Sequence, residues 1–433
     1  MIRLTNIYNF FIIILLISPI FILLNSSLYN FINNETPVYQ NNYGVNKTVE
    51  TYPTKAIDIS IYNVDKIKSP SERNILTKPI PLNIYVSVMF YLFFCLKKFN
   101  DPFFLKYTKF ILILFIYLFL ISFYSGEIKQ KFYHIIQYII PSVSILVGYF
   151  YFNEKFLEGN LVSLTKYFLT CFIIFQVIIS LLFDDMYALR SNLIYFTIYQ
   201  NIQYVTSIIV LLIFSTLLLK KDKLILDFFV ISSLAFYSLL SLNFSTILIF
   251  LAGLISFLFY RRLHTFILPI LFVIISTIYF ISNLKVENKY YQKFTQNKIS
   301  NFKDITKLKI PVNLNQRAKI YNYYLDSKKS LKDFLFGNSN IKLISDTNGA
   351  HNIFLDSYYI FGILFTVIVF YFSLLIIKSI FIIKFNYFFF FFSFYFFVEN
   401  IFKEALKQPY PAIITYLIFG HILKIIYQPN SKI

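Results

Sequence analysis

The chain has 433 residues, 58% of them hydrophobic and 14% charged, with a mean hydropathy of +0.64. Those proportions exclude an ordinary soluble domain, in which about a quarter of the residues are charged. Lys and Arg number 40 against 21 Asp and Glu, a formal net charge of +19.

In chain order, apolar blocks run at about 7–24, 80–96, 110–124, 132–152, 166–183, 196–219, 224–242, 244–260, 265–282, 353–377, 381–398 and 411–427. A spanning helix needs roughly 20 mainly apolar residues, because its backbone must satisfy its own polar groups within the hydrocarbon layer. The blocks therefore predict an all-α polytopic membrane protein of about twelve spans. The count falls towards ten if the short gap at 242–244 is no loop and the block at 110–124 is too short. The first block follows Met1-Ile2-Arg3 in the manner of a signal peptide, but no small-residue cleavage site succeeds it, so a retained helix is expected. Three regions result: a bundle of about nine spans over 1–282 with a polar segment at 26–79, a large loop over 283–350, and three spans over 351–433.

Lys and Arg in short loops set the orientation, since cytoplasmic loops carry the excess. With the N-terminus inside, the inner loops hold Lys97, Lys98, Lys106 and Lys109, then Lys220, Lys221 and Lys223, then Arg261 and Arg262, then Lys378 and Lys384. The outer short loops are balanced, with Lys129 and Lys131 against Glu127, Arg190 against Asp184 and Asp185, and Lys403 and Lys407 against Glu399 and Glu404. The loop at 283–350 then faces outward, and its thirteen cationic residues against five carboxylates leave +8. Long loops escape the orientation rule. That charge reads either as the habit of a Lys-rich composition or as a surface for an anionic lipid-linked substrate, and the two are compatible.

Only six Arg occur, and Arg190, Arg317 and Arg73 fall on the outer side. Arg offers phosphate or carboxylate a planar fork of donors, so Arg190 and Arg317 stand out as site candidates. Cys95 and Cys171 lie in apolar blocks without CxxC spacing, so neither disulfide nor metal site is implied. GxxxxGK[ST] and HExxH are absent, as are paired intramembrane carboxylates of the proton-relay kind, and ATP-powered transport by this chain is excluded. Among the four His, His264 reads as an inner-face anchor and His421 as a structural residue inside the last span, while His134 is ambiguous. His351 differs, because it stands where the basic loop meets the next span.

Around that boundary the chain reads Arg317-Ala318-Lys319-Ile320-Tyr321, then Phe334-Leu335-Phe336-Gly337-Asn338, then His351-Asn352 opening a helix that carries Asp356 and Gly362. This order resembles the O-antigen polymerase and O-antigen ligase superfamily, whose members show an Arg with an aromatic four residues on, a Gly turn after a hydrophobic pair, and a His-Asn before a helix. The likeness is strongest over 317–365 and is supported by a large outer loop between the ninth and tenth spans. Arg190 with Tyr199 to Tyr204 is a looser echo upstream, and Phe244 stands where many members have Arg.

The resemblance implies a metal-independent glycosyltransferase without cofactor, in the bacterial cytoplasmic membrane with its site on the extracytoplasmic face. It would move an undecaprenyl-pyrophosphate-linked glycan onto a sugar hydroxyl. The implied partners are that lipid-linked glycan, membrane lipid and a chain-length regulator, with no nucleic acid. His351, Arg317 and Arg190 take the catalytic roles it implies. His351 serves as base near neutral pH or orients a substrate phosphate, and the two Arg face the departing pyrophosphate. Asn352, Asp356, Tyr321 and Gly337 are the substrate-binding candidates. Asn352 reads equally as a helix cap, Gly337 as a turn residue and Gly362 as a close-packing point. A polymerase is favoured over a ligase, and a flippase or a scaffold remains open.

Overall fold

A computed structural model describes residues 98–124, 128–151, 166–174, 202–220, 223–241, 243–261, 271–276, 330–338, 351–382, 386–407 and 409–427, with isolated positions including Tyr321 and Tyr324. The expected spans at 7–24 and 80–96, the polar segment 26–79 and most of the loop 283–350 lie outside the described residues, as do parts of the blocks at 166–183 and 265–282.

Every described element is helical. In chain order they are α1 (Pro102–Tyr124), α2 (Ile128–Ser142), α3 (Ser144–Phe150), α4 (Ile202–Leu219), α5 (Leu224–Leu240), α6 (Phe244–Arg261), α7 (Leu331–Phe336), α8 (Ile353–Ile382), α9 (Tyr387–Phe402), a 3-10 turn (Ala405–Lys407) and α10 (Pro409–Tyr427). Among them α1, α6 and α8 are long and apolar enough to cross a membrane, and the others include shorter apolar helices.

Three boundaries differ from the sequence expectation. The short block at 110–124 is the second half of a longer helix, because Asp101 caps α1 through Oδ1, accepting from Phe103 N at 2.8 Å, and Lys106 and Lys109 are carried inside it. Charged residues near a helix end mask such starts in a hydropathy profile. The block at 132–152 is two helices rather than one. Pro141 removes an N–H from α2, and the chain breaks at Val143. The Ser142 carbonyl at the break accepts the Tyr107 hydroxyl at 2.7 Å. The third block, α8, is interrupted at Gly362.

Helix α4 is largely apolar and buried from Thr206 to Leu218. Phe214 packs on Phe250 of α6 and Phe391 of α9, and Gly253 lies flat against its ring. At the rim the pattern inverts: Leu112, Ile113 and Leu120 of α1 and Val367 and Phe370 of α8 are exposed. An apolar rim around an apolar core suits lipid as solvent. Helices in lipid gain no hydrophobic free energy by meeting, so close backbone approach takes its place. A Cβ at Gly148 would lie 1.9 Å from the Leu417 carbonyl oxygen, and one at Gly420 would lie 2.1 Å from that of Ile145, so only glycine lets α3 and α10 cross here. Hydroxyls within the helices fold back on their own carbonyls, as with Ser215 on Leu211 at 2.6 Å and Thr415 on Pro411 at 2.7 Å.

The short α7 is fixed to α8 by a second glycine crossing. Ser330 and Asp333 form a capping box that starts α7, and Gly337 ends it at φ +83°. Gly362 interrupts α8 at φ +79°, which leaves the Tyr359 carbonyl available to the Asn338 N–H at 2.8 Å. Each glycine sits where the other segment's backbone passes, with a carbonyl oxygen 2.2 Å from where its Cβ would be.

Candidate functional site

Ionisable side chains gather at the two ends of the bundle. At one end Asp227, in the first turn of α5 and fully buried, receives Lys166 at 3.1 Å and Arg261 from the last turn of α6. Arg261 also lies over the Phe257 ring. The arrangement is an anchor: one carboxylate ties three segments together.

The opposite end is richer. Here α2, α4, α6, α8 and α10 begin and α9 ends. Asn352 caps α8, its Oδ1 accepting from Phe354 N at 3.0 Å and Leu355 N at 3.3 Å, so the side-chain oxygen is committed to the helix start. His351 precedes it at φ +54° and is half-buried. Asp356, one turn into α8, is fully buried. Asn400 closes the turn after α9, where its Oδ1 accepts from Leu406 N at 2.9 Å. Within that turn Glu404 sits at φ +58°. His351 and Glu404 are the two non-glycine residues with left-handed backbone among those described. Such conformations cost about 1–3 kcal/mol and collect at functional sites.

Glu404 sits in a buried charged cluster. Lys407 Nζ stands 3.4 Å from Glu404 Oε2 and 4.0 Å from Asp356 Oδ2. The Asp356 and Glu404 carboxyl groups thus share the Lys407 ammonium. Burial alone would raise the Glu404 carboxyl, but the Lys407 ammonium, the Asp356 hydrogen bond and the charge of His351 outweigh it and hold Glu404 at about 2. From α2, His134 faces Lys407 and Glu404, its Nδ1 lying 3.2 Å from Gln137 Oε1. One turn on, Tyr138 packs edge-on against Phe365 of α8, fixing α2 beside the cluster.

A second set adjoins it. Lys403 Nζ bridges Glu399 Oε1 at 3.0 Å and Ser207 Oγ at 3.1 Å. From Ser207 a run of hydroxyls continues through Thr246 to Asn243, whose Nδ2 donates to Thr246 Oγ1 at 2.7 Å. These contacts join the ends of α9, α4 and α6.

One expectation is thereby corrected. Glu399, Lys403, Glu404 and Lys407 were expected as a balanced outer loop, yet all four are buried, because the 3-10 turn folds them back between α2 and α8. Asp356 and Glu404 meet at Lys407. They lie 48 positions apart, and only packing brings them together.

Among the other expected site residues, Tyr321 donates its hydroxyl to the Ile401 carbonyl at 3.3 Å, at the end of α9. Gly337 meets α8 at Ile360, one turn past Asp356, and contributes backbone shape rather than a polar group. Arg317, Arg190, Arg73, His264 and Cys95 lie outside the described residues. His421 is buried, its ring stacked against Phe389 at 6.2 Å. Cys171 is exposed.

Glu404, Lys407 and Lys403 escaped sequence reasoning because opposite charges three and four residues apart read as a neutral surface loop. The available signal was their position directly after an aromatic run, where a solvated loop has no apolar face to lie against.

Ionised Glu404 should make the fold acid-sensitive. Its value is lowered from 4.5 to about 2 in the folded state, so its contribution is present at neutral pH and lost as pH falls from about 4.5 towards 2. The shift corresponds to on the order of 3 kcal/mol. The melting temperature in detergent should drop across that window in the native protein and drop less in Glu404→Gln. Equal acid slopes in the two proteins would assign the loss to other carboxylates.

No family model, characterised protein or solved structure matches the chain.

Proposed function

We propose that this chain is a membrane glycosyltransferase that polymerises undecaprenyl-pyrophosphate-linked repeat units, in the manner of the O-antigen polymerase and ligase superfamily. The observation that carries the reading is the ordered set over 317–365, together with the convergence of His351 and Asp356 on one buried, charged end of the bundle. The reading includes about twelve spans in the bacterial cytoplasmic membrane, with the basic loop 283–350 and this end of the bundle on the extracytoplasmic face.

In the proposed reaction the acceptor hydroxyl oxygen attacks the anomeric carbon of the donor. The bond from that carbon to the pyrophosphate oxygen breaks, its electron pair leaving with the lipid pyrophosphate. A ring nitrogen of His351 takes the hydroxyl proton, and Arg317 and Arg190 neutralise the departing charge. Lys403 offers a cation beside α6, where Phe244 replaces the Arg common in that superfamily. A ligase differs only in its acceptor, the lipid A core.

The buried cluster of Asp356, Glu404 and Lys407 favours one further reading, an exporter of lipid-linked glycan, because buried ionisable groups among apolar helices mark substrate or ion pathways. Gel profiles of envelope glycan from cells carrying His351→Ala or Arg317→Lys separate the three, with membrane levels of each variant measured. Polymerisation should fall about 10²–10⁴-fold in His351→Ala, leaving single repeats. Full-length glycan held on its lipid carrier would indicate a ligase. Single repeats retained on the cytoplasmic side would indicate the exporter, and an unchanged profile would sink the assignment of His351.

A further inference from the structure

The two ends of the bundle treat their cations differently. At the end that holds Asp356, Lys403 and Lys407 are buried and paired with carboxylates. At the far end, where α1 and α5 begin and α8 finishes, Lys106 and Lys109 of α1, Lys223 before α5 and Lys378 of α8 are all exposed. No ion pair joins any of these four to a carboxylate among the described residues. The described carboxylates at this end are engaged elsewhere: Asp101 caps α1, and Asp227 holds Lys166 and Arg261.

Local structure does not account for these positions. Lys106 and Lys109 are three apart on one helical face, where two like charges repel. Lys223 stands at the start of α5, the end at which the helix dipole disfavours a cation. The surroundings are apolar. Leu105, Phe110 and Ile113 are exposed around the α1 pair, Ile225 and Phe229 follow Lys223, and Phe381 follows Lys378. Tyr107, between the α1 lysines, turns inward and gives its hydroxyl to the Ser142 carbonyl, so the lysines face away from the bundle. An ammonium on such a face lays its stem against hydrocarbon and carries its head to the level of phospholipid phosphates. Lipid then supplies the counter-ion that the described protein surface lacks.

We propose that this end of the bundle binds acidic phospholipid, with Lys106 and Lys109 sharing one headgroup phosphate and Lys223 and Lys378 adding to the cationic surface. A phosphate between the α1 pair replaces their repulsion by two charge-assisted hydrogen bonds, and the exposed apolar side chains take the acyl chains. The orientation read from the short loops puts this end in the cytoplasmic leaflet. The binding itself rests neither on that orientation nor on the glycosyltransferase reading.

The test uses full-length protein in a neutral detergent, titrated with phosphatidylglycerol or phosphatidylcholine and followed by native mass spectrometry. Phosphatidylglycerol should bind in preference, and its retention should fall steeply as salt is raised, because the contacts are ionic and exposed. Lys106→Gln combined with Lys109→Gln should weaken phosphatidylglycerol binding about 25-fold, at about fivefold per lysine, and leave phosphatidylcholine binding unchanged. Lys332→Gln, on α7 and equally exposed, should change neither. Equal binding of the two lipids by the native protein, or binding that ignores salt, overturns the proposal without any variant, as does native phosphatidylglycerol binding in the double variant. Displacement of the lipid by millimolar inorganic phosphate would make this a site for soluble anions. A dimer that the double variant loses would make it a contact between copies of the chain, and either result overturns the lipid assignment.

Discussion

Lys407→Met should be among the most damaging single substitutions in this chain. The residue is 7% exposed and its ammonium compensates a buried carboxylate at 3.4 Å, with a second carboxyl at 4.0 Å. Removing one partner of a buried ion pair leaves the other charge without compensation, at a cost of about 3–5 kcal/mol. Methionine matches the apolar stem of lysine, so the loss reports charge rather than volume. The informative comparison is Lys407→Met with Glu404→Gln in the same chain. Removing both charges leaves neither partner of this pair uncompensated, so the double variant should be more stable than Lys407→Met alone and the effects should be non-additive by about 1–3 kcal/mol. Thermal melting of the four proteins in one detergent reads the cycle. Simple additivity would mean that Lys407 compensates some other group and that the cluster is wrongly paired.

Gly362→Ala should be comparably severe, for a reason of backbone and not charge. At φ +79° and ψ −175°, Gly362 occupies a region that is open essentially to glycine alone. The strain of alanine there is about 1–3 kcal/mol. In addition its Cβ would sit 2.2 Å from the Leu335 carbonyl oxygen, with backbone on both sides and no side chain able to move away. Overpacking of this kind adds about 1–3 kcal/mol more. The crossing of α7 with α8 should open, so that Gly362→Ala protein shows both a lower melting temperature and faster proteolysis near 330–338. Gly337→Ala faces the same crossing from the other side, at φ +83° and 2.2 Å from the Ile360 carbonyl oxygen. Combining the two should therefore cost less than their sum, because one contact is lost twice. Full additivity would show that the glycines act separately.

Both predictions concern residues whose importance was unevenly visible. Gly337 and Gly362 announce themselves in a chain with only nine glycines, and Gly337 falls after a hydrophobic pair where a turn is needed. Their mutual contact does not announce itself, because nothing in either local pattern says which backbone passes the other. Asn352 before an apolar run carries the mark of a helix cap, and its side chain makes that cap. Lys407 and Glu404 carry no such mark. At three residues apart they resemble any solvated helical pair, and their burial depends on how α2, α8 and the 3-10 turn close over them.

By itself the sequence determined that the chain is helical and apolar enough for membrane-crossing helices. Both properties follow from composition and block length, and backbone polar groups in lipid leave few alternatives. It also singled out His351, through its place at the junction of a basic loop and an apolar helix. Tertiary structure alone decided that the block at 132–152 breaks after Pro141 and that α8 is interrupted at Gly362. It alone brought Asp356 and Glu404, 48 positions apart, to the same lysine. The physical reason is the same throughout. Hydrophobicity is summed along the chain and can be read from it, whereas the worth of a buried charge depends on which distant groups packing brings within a few ångströms.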